Sequence, residues 1–428
     1  MRKKKTISLN SPLFFKKKIL FFLKKKSRFC FLDSNNNEDK YSSFDYLAAF
    51  GVKKKCNPKK NIFNNFKFFL DTNKDWVFGH FSYDLKNDIE NLKSKNIDKF
   101  NFEKLNFFIP FYIFIVKKET LTILYDDSKN DIDSIYNKIL NQKITLTKDS
   151  KFSIKPAISK KEYLSKVDGI KDHIQKGDIY EMNFCQEFRV NFNQFNPSQL
   201  FFKLNSYAKS PFSSYYKLNN KYCLCSSPER YIKNNNSKII SQPIKGTASR
   251  SESKSVDNKN KRLLMKSKKD FSENVMIVDL VRNDLSITAK KKSVKVEELA
   301  KVYSYKNVHH LISTITSEIK SKVHPLDVIK NSFPMGSMTG APKIKSMELI
   351  EEYESIKRGL YSGSIGYFTP NLDFDFNVVI RSLLYNKKSN YLSFIVGGAI
   401  TIDSDPNNEY EECLTKGKSI LNILSNER

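Results

Sequence analysis

Residues 222–247 read YCLCSSPERYIKNNNSKIISQPIKGT, and their order bears directly on the class of fold. Two short apolar runs, 222–225 and 238–241, have the length and composition of strands, with no helical pattern between them. They lead into Pro243-Ile244-Lys245-Gly246-Thr247, where a lone lysine stands between a proline that fixes φ and a glycine that lets the main chain approach another group. These five residues read as a turn. A lysine held there and removed from water is a candidate nucleophile or base, while a plain turn lysine without chemistry fits the local sequence equally well.

Working outward, residues 159–176 carry helical spacing through Tyr163, Val167, Ile170 and Ile174, stop at Gly177 and give way to a strand-like run over 179–190. Beyond the turn, 258–284 reads as one long helix through Leu264, Phe271, Val275 and Val278. A shorter helix follows at 346–353, then strands at 363–368, 376–385 and 391–396. The final helix is expected after Ser404-Asp405-Pro406, where the acid can cap and the proline suits the first turn. Residues 1–150 alternate aromatic or β-branched runs with Asn, Asp and Lys, a motif-poor region of strands and turns; the motif-rich region spans 157–425. Strands and helices mixed without βαβ alternation predict an α+β fold with antiparallel sheets.

Composition removes some partners. The formal charge is +28 over 428 residues, but the lysines are spread along the chain among asparagines and phenylalanines. No RNP, helix-turn-helix or zinc-finger pattern accompanies them, so no nucleic-acid partner is expected, and codon drift accounts for the charge. An anionic substrate would still gain from the field. The six cysteines show neither CxxC pairs nor a disulfide framework and read as reduced cytoplasmic thiols. The apolar runs within residues 1–26 are too short for a secretion signal or a membrane span, so no membrane is expected.

Two pairs of acids stand out. Glu409, Glu412 and Lys416 share one face of the final helix, and Asp270 and Glu273 are likewise three apart. Converging carboxylates would suit a hard cation such as Mg²⁺, although two solvated acidic faces give the same spacing. Arg381, among apolar neighbours, requires a carboxylate or phosphate partner, which a structural ion pair could supply. Gly397-Gly398 opens the backbone after a strand, as a carboxylate-binding bend or a tight turn would. Residues 335–342, MGSMTGAP, lack the phosphate-binding P-loop pattern, and His310, after His309, reads as a buried structural histidine.

Taken together, Gly177 to Phe184 (GDIYEMNF), Ser227-Pro228-Glu229-Arg230, the PIKGT turn, Glu273 to Asp284 (ENVMIVDLVRND), Gly340-Ala341-Pro342-Lys343, Arg358 to Gly363 (RGLYSG) and the stretch from Asp403 to Lys416 resemble the chorismate-binding enzymes, in the same order. The resemblance implies two facing antiparallel sheets with helices packed outside. It implies Mg²⁺ on Glu273 and Glu412, with Asp270 and Glu409 in support through water. It further implies that Lys245, as a neutral amine, attacks the chorismate ring and that Glu229 acts as general acid. Tyr361, Arg381, Gly397, Gly398 and Lys416 would hold the substrate carboxylates, Thr247 would line the ring pocket, and His310 would stand near it.

Lysine in the PIKGT turn resembles the aminodeoxychorismate branch, which serves para-aminobenzoate and folate synthesis. Alanine there marks anthranilate synthase component I, the alternative. Glu181 replaces the glutamine often found in amino-transferring members and the lysine of the water-adding ones, and Gly397-Gly398-Ala399 replaces a more usual Gly-Ala-Gly. Leu32-Asp33-Ser34 sits where the family has an early serine motif, but no tryptophan feedback site is predicted. The sequence carries no glutamine amidotransferase signature, so a separate subunit is expected to supply ammonia.

Overall fold

The computed structural model describes residues 2–425 except 38, 130 and 147–150, so residue 150, where the N-terminal region was expected to end, lies outside the described residues. The strand Arg28–Asp33 shows how the layers arise. Its side chains alternate between two apolar environments, Phe29 and Phe31 on one face and Cys30 and Leu32 on the other, and all are buried. Such a strand is covered on both sides. It pairs antiparallel with Tyr46–Cys56 on one edge and Phe212–Leu218 on the other, joining residues far apart in the chain.

From there the first sheet runs through Lys221–Ser227, Ser382–Asn386 and Tyr391–Ile400 to Glu181–Asn191. In the other direction it passes through Tyr46–Cys56 to the long strand Leu105–Lys117, then Thr120–Asp126 and Arg2–Ser8. The opening residues of Leu105–Lys117 also pair with Val77–Phe81, which begins the second sheet. That sheet continues through Ser364–Phe368, Phe374–Asn377, Arg230–Asn235 and Lys238–Gln242 to Val308–Glu318. Every pairing between these strands is antiparallel, as the irregular order of predicted strands implies.

Two cores result. Leu32, Ala49 and Tyr216 of the first sheet meet Phe78, Ile232 and Phe376 of the second in one apolar layer. Aromatic rings fill it, with Phe66 and Phe107 stacked at 4.4 Å and Phe368 and Phe376 tilted against each other at 5.2 Å. Burying each such ring contributes about 1.5–3 kcal/mol. The opposite face of the first sheet is covered by helices, among them Pro12–Leu23, Lys160–Gln175, Pro197–Ala208 and Pro406–Ser425. No helix among the described residues is long and apolar enough to cross a membrane. The one tryptophan, Trp76, stacks on Tyr367 at 5.4 Å, where an N-terminal strand meets a C-terminal one.

Several predicted elements differ from those observed. The helix expected over 258–284 is two, Lys254–Lys266 and Lys268–Ser286, because Ser267 is extended and its hydroxyl caps the second by accepting the Asp270 amide at 3.2 Å. The strand expected over 376–385 is broken, with Arg381 between the pieces at φ +49°. PIKGT is not a free turn: Ile244–Ser249 is a strand against Val308–Glu318, with a register shift at Gly246, whose φ is +87°. The final helix starts as expected at Pro406, and the Asp405 side chain accepts the Asn408 amide at 2.9 Å.

Candidate active site

The bulge at Gly246 turns Lys245 inward, into a cleft that Glu229, Asp270, Glu273, Tyr361, Arg381 and Lys416 also line. A chain segment from each sheet, Gly246 on one and Gly397 on the other, walls the cleft. The first two turns of the helices Lys268–Ser286 and Pro406–Ser425 bring the acids. The helix break at Ser267 therefore has a function: it places Asp270 and Glu273 near a helix N-terminus, where negative charge is favoured.

Lys245 is 8% exposed, and its ammonium donates to Glu181 Oε1 at 2.8 Å. Burial alone would release the proton. The charges of Glu181 and Glu273 outweigh it, and the lysine's pKa is raised above its ordinary value. The neutral amine expected from sequence is thus not the resting form. Glu229 is buried and its carboxyl is held toward the acid form. Burial pushes its pKa up to about 7 against the Ser337 hydroxyl, which donates to Oε1 at 2.6 Å, and against the charges of Lys245 and Arg381.

Arg381 has no carboxylate partner among the described residues. One of its N–H groups donates to His310 Nε2 at 3.1 Å, so that nitrogen is the acceptor and the neutral ring carries its proton on Nδ1, which donates to Thr247 Oγ1 at 2.9 Å. Burial, then the positive charge of Arg381, holds His310 well below the usual range. Burial also lowers Arg381 to about 10. His310 is therefore buried, as read, and also a support for the arginine. An uncompensated guanidinium facing a cleft is an anion site.

Gly397 and Gly398 do not follow a strand but lie within Tyr391–Ile400, paired with Cys185 and Phe184. The Gly397 carbonyl accepts from Lys416 at 3.0 Å. Gly398 does not line the cleft. It faces the last helix, where an added Cβ would stand 3.4 Å from Glu409 Oε2 and 3.5 Å from Glu412 Oε1. At Gly397 an added Cβ would lie 2.2 Å from the Phe184 carbonyl and 2.5 Å from Cys185 Sγ. Gly397→Ala is accordingly expected to destabilise the protein by about 3 kcal/mol, read as a lower urea midpoint with unchanged m-value.

The four acids match an oxygen-ligated cation in donor type. Glu409 is 1% exposed and its Oε2 has no hydrogen-bond partner, an atom waiting for a cation or a water. The space beside Gly398 separates it from Glu412. As they stand, no three Asp, Glu, His or Cys side chains among the described residues close on a common point. Lysines balance the acids instead, Lys416 on Glu412 at 2.7 Å and Lys269 on Glu409 at 2.7 Å. The Lys416 charge holds Glu412 below the usual carboxylate range, whereas burial raises Glu273 to about 7. The donor set fits Mg²⁺.

The sequence matches the family model described as chorismate binding enzyme over residues 26–422. The chain belongs to the chorismate-binding enzymes. Aminodeoxychorismate synthase component 1 of Escherichia coli is 38% identical over 280 residues, covering 65% of this chain and 60% of that one. The Klebsiella aerogenes protein of the same name is 34% identical over 351 residues, covering 81% and 77%. Anthranilate synthase component 1 of Aquifex aeolicus is more distant, at 29% identity over 367 residues, covering 81% and 74%. The first curated relatives are longer proteins: the match spans 30% of the probable chloroplastic aminodeoxychorismate synthase of rice, at 40% identity and 62% of this chain. Among solved structures, anthranilate synthase component I of Streptococcus pneumoniae superposes with a TM-score of 0.77 at 22% identity, covering 90% of this chain and 93% of that one. The α+β fold of two facing sheets is that of this family.

In this chorismate-binding enzyme the cleft brings together all the expected site residues except Gly398 and Glu409, which stand behind its wall. Sequence reasoning missed three partners. Ser337 on Glu229 lies in the glycine-rich run 335–342, where no local signal marks it as a partner of an acid. Glu181 was visible as a departure from pattern, without its ion pair. Lys269 sits one residue before Asp270, and only the fold reveals that it reaches Glu409.

Proposed function

We propose that this chain is an aminodeoxychorismate synthase component I, converting chorismate and ammonia to 4-amino-4-deoxychorismate for para-aminobenzoate and folate synthesis. The observation that carries the reading is the buried Lys245 amine facing the same cleft as Glu229 and the acids of two helices. Arg381, without a carboxylate partner among the described residues, and Lys416 receive the carboxylates of the dianionic substrate. Glu273 and Glu412, with Asp270 and Glu409 in support, would hold Mg²⁺, which would supply positive charge for the ring carboxylate.

Lys245 must lose a proton before it can attack, and Glu181, 2.8 Å away with its other oxygen buried and unpartnered, is the nearest acceptor. The amine then bonds to C2, both ring double bonds shift, and the C4 hydroxyl leaves as water with the proton of Glu229. Ammonia adds at C4 and gives its surplus proton back to Glu229, both double bonds return, and Lys245 leaves as an amine that recovers its proton from Glu181. The ammonia comes from a glutamine amidotransferase subunit.

The test is product identity. Purified chain with chorismate, Mg²⁺ and ammonium is expected to yield 4-amino-4-deoxychorismate by mass and chromatography, and anthranilate as product would overturn the reading. Glu229 supplies a second check. Its acid form is the active one, so kcat/KM is expected to fall as pH rises through about 7, and Glu229→Gln to lower kcat by roughly 100-fold or more. The linkage has the same sign: a carboxyl raised above its unfolded value contributes stability at low pH that is lost as pH rises through about 7.

A further inference from the structure

Two lysines hold the acids of the cleft, and they are held differently themselves. Lys416 pairs with Glu412 and is also anchored by the Gly397 carbonyl at 3.0 Å. Lys269 has no such anchor. Its ammonium lies 2.7 Å from Glu409 Oε1 and 3.8 Å from Glu273 Oε1, bridging one acid from each helix, and among the described residues it has no other polar partner. Its side chain is 40% exposed, while that of Glu409 is 1% exposed. It borders the open basin outside the cleft, so the stem can swing outward without crossing the core.

Glu409 is poised for something else. Ser404 Oγ donates to the same Oε1 at 2.6 Å, so that oxygen keeps a partner when the lysine departs, and Oε2 is buried without one. A tethered ammonium and a divalent cation cannot occupy the space between Glu273 and Glu409 together, since their charges repel at that range.

We propose that Lys269 is a built-in counter-cation of the acid cluster: it holds Glu409 and Glu273 together while no divalent ion is present, and it is displaced when one binds. This rests on the metal reading above. Lys269 therefore sets how much free Mg²⁺ the enzyme needs. Affinity is held down by a positive charge that must be moved, and the helices stay in register without metal.

The experiment is calorimetric titration of Mn²⁺ and of Mg²⁺ into the purified full chain without substrate. Lys269→Met is expected to tighten binding by about tenfold or more, and Lys269→Arg, which keeps the charge, to stay within roughly threefold of the unaltered chain. Unchanged or weaker binding by Lys269→Met overturns the proposal while leaving the metal reading intact. Binding by neither the unaltered chain nor any variant removes both.

A measurement on the unaltered chain guards against misfolded variants. Acetylation of Lys269, followed by mass spectrometry of its peptide, is expected to rise severalfold when Mg²⁺ is added. Labelling that stays level as the metal binds also overturns the proposal.

Discussion

Lys245→Ala is expected to lower formation of 4-amino-4-deoxychorismate by roughly a thousandfold or more, because it removes the atom that bonds to the ring. The loss should fall on kcat, with chorismate binding retained through Arg381 and Lys416. One side effect can be foreseen. The substitution leaves Glu181, 1% exposed, without the ammonium that pairs with it at 2.8 Å, and a buried charge stripped of its partner costs about 3–5 kcal/mol unless it takes up a proton. The double variant Lys245→Ala with Glu181→Gln removes that charge. It is expected to recover stability toward the unaltered chain while staying inactive, which separates lost chemistry from lost folding. Product formation near the original rate in either variant would rule out the covalent step.

Arg358→Ala is expected to have the largest effect on stability. Arg358 is 2% exposed and makes a bidentate pair with Glu354 at 2.6 and 2.9 Å. It also donates to the carbonyls of Met338 at 2.6 Å and Asn183 at 2.8 Å, and its plane lies 4.7 Å from the Tyr83 ring. Glu354 in turn accepts the Cys185 amide at 2.9 Å. Removing the guanidinium strands a buried carboxylate and two carbonyls, a loss of about 3–5 kcal/mol by chemical denaturation. Arg358→Lys keeps the charge but not the planar fork, and is expected to fall between the two. The damage should reach catalysis as well, since Met338 and Asn183 line the cleft.

The fold class was legible because strands and helices were mixed without βαβ alternation, and the start of the last helix was legible because Asp405-Pro406 is a local signal. Other boundaries depended on tertiary context. Nothing in the periodicity of 258–284 separates a continuous helix from one that Ser267 interrupts, and the gain from interruption, two acids aimed into a cleft, lies elsewhere in the chain. Arg381 reads as a strand residue until Ser226 and the two strand fragments around it fix its left-handed backbone.

The candidate site was legible where motif order carried it and illegible where charge balance did. Burial predicts a neutral Lys245, and the paired carboxylate of Glu181 reverses that sign. The acids of two helices read as converging on a cation, yet in the resting chain lysines 269 and 416 hold them. Lys269 and Glu409 are 140 positions apart and Lys245 and Glu181 64, separations that spacing along one helix does not record, whereas Lys416 and Glu412, an i,i+4 pair, share a helix face.

Trp76 gives the seam between the two sheets an intrinsic optical signal. As the sole indole in 428 residues, packed on Tyr367 and Phe78, it makes emission a single-site gauge of whether the N-terminal strand Val77–Phe81 remains docked on Ser364–Phe368. A red shift that precedes the loss of far-ultraviolet ellipticity would show the molecule unzipping there first, with no label attached.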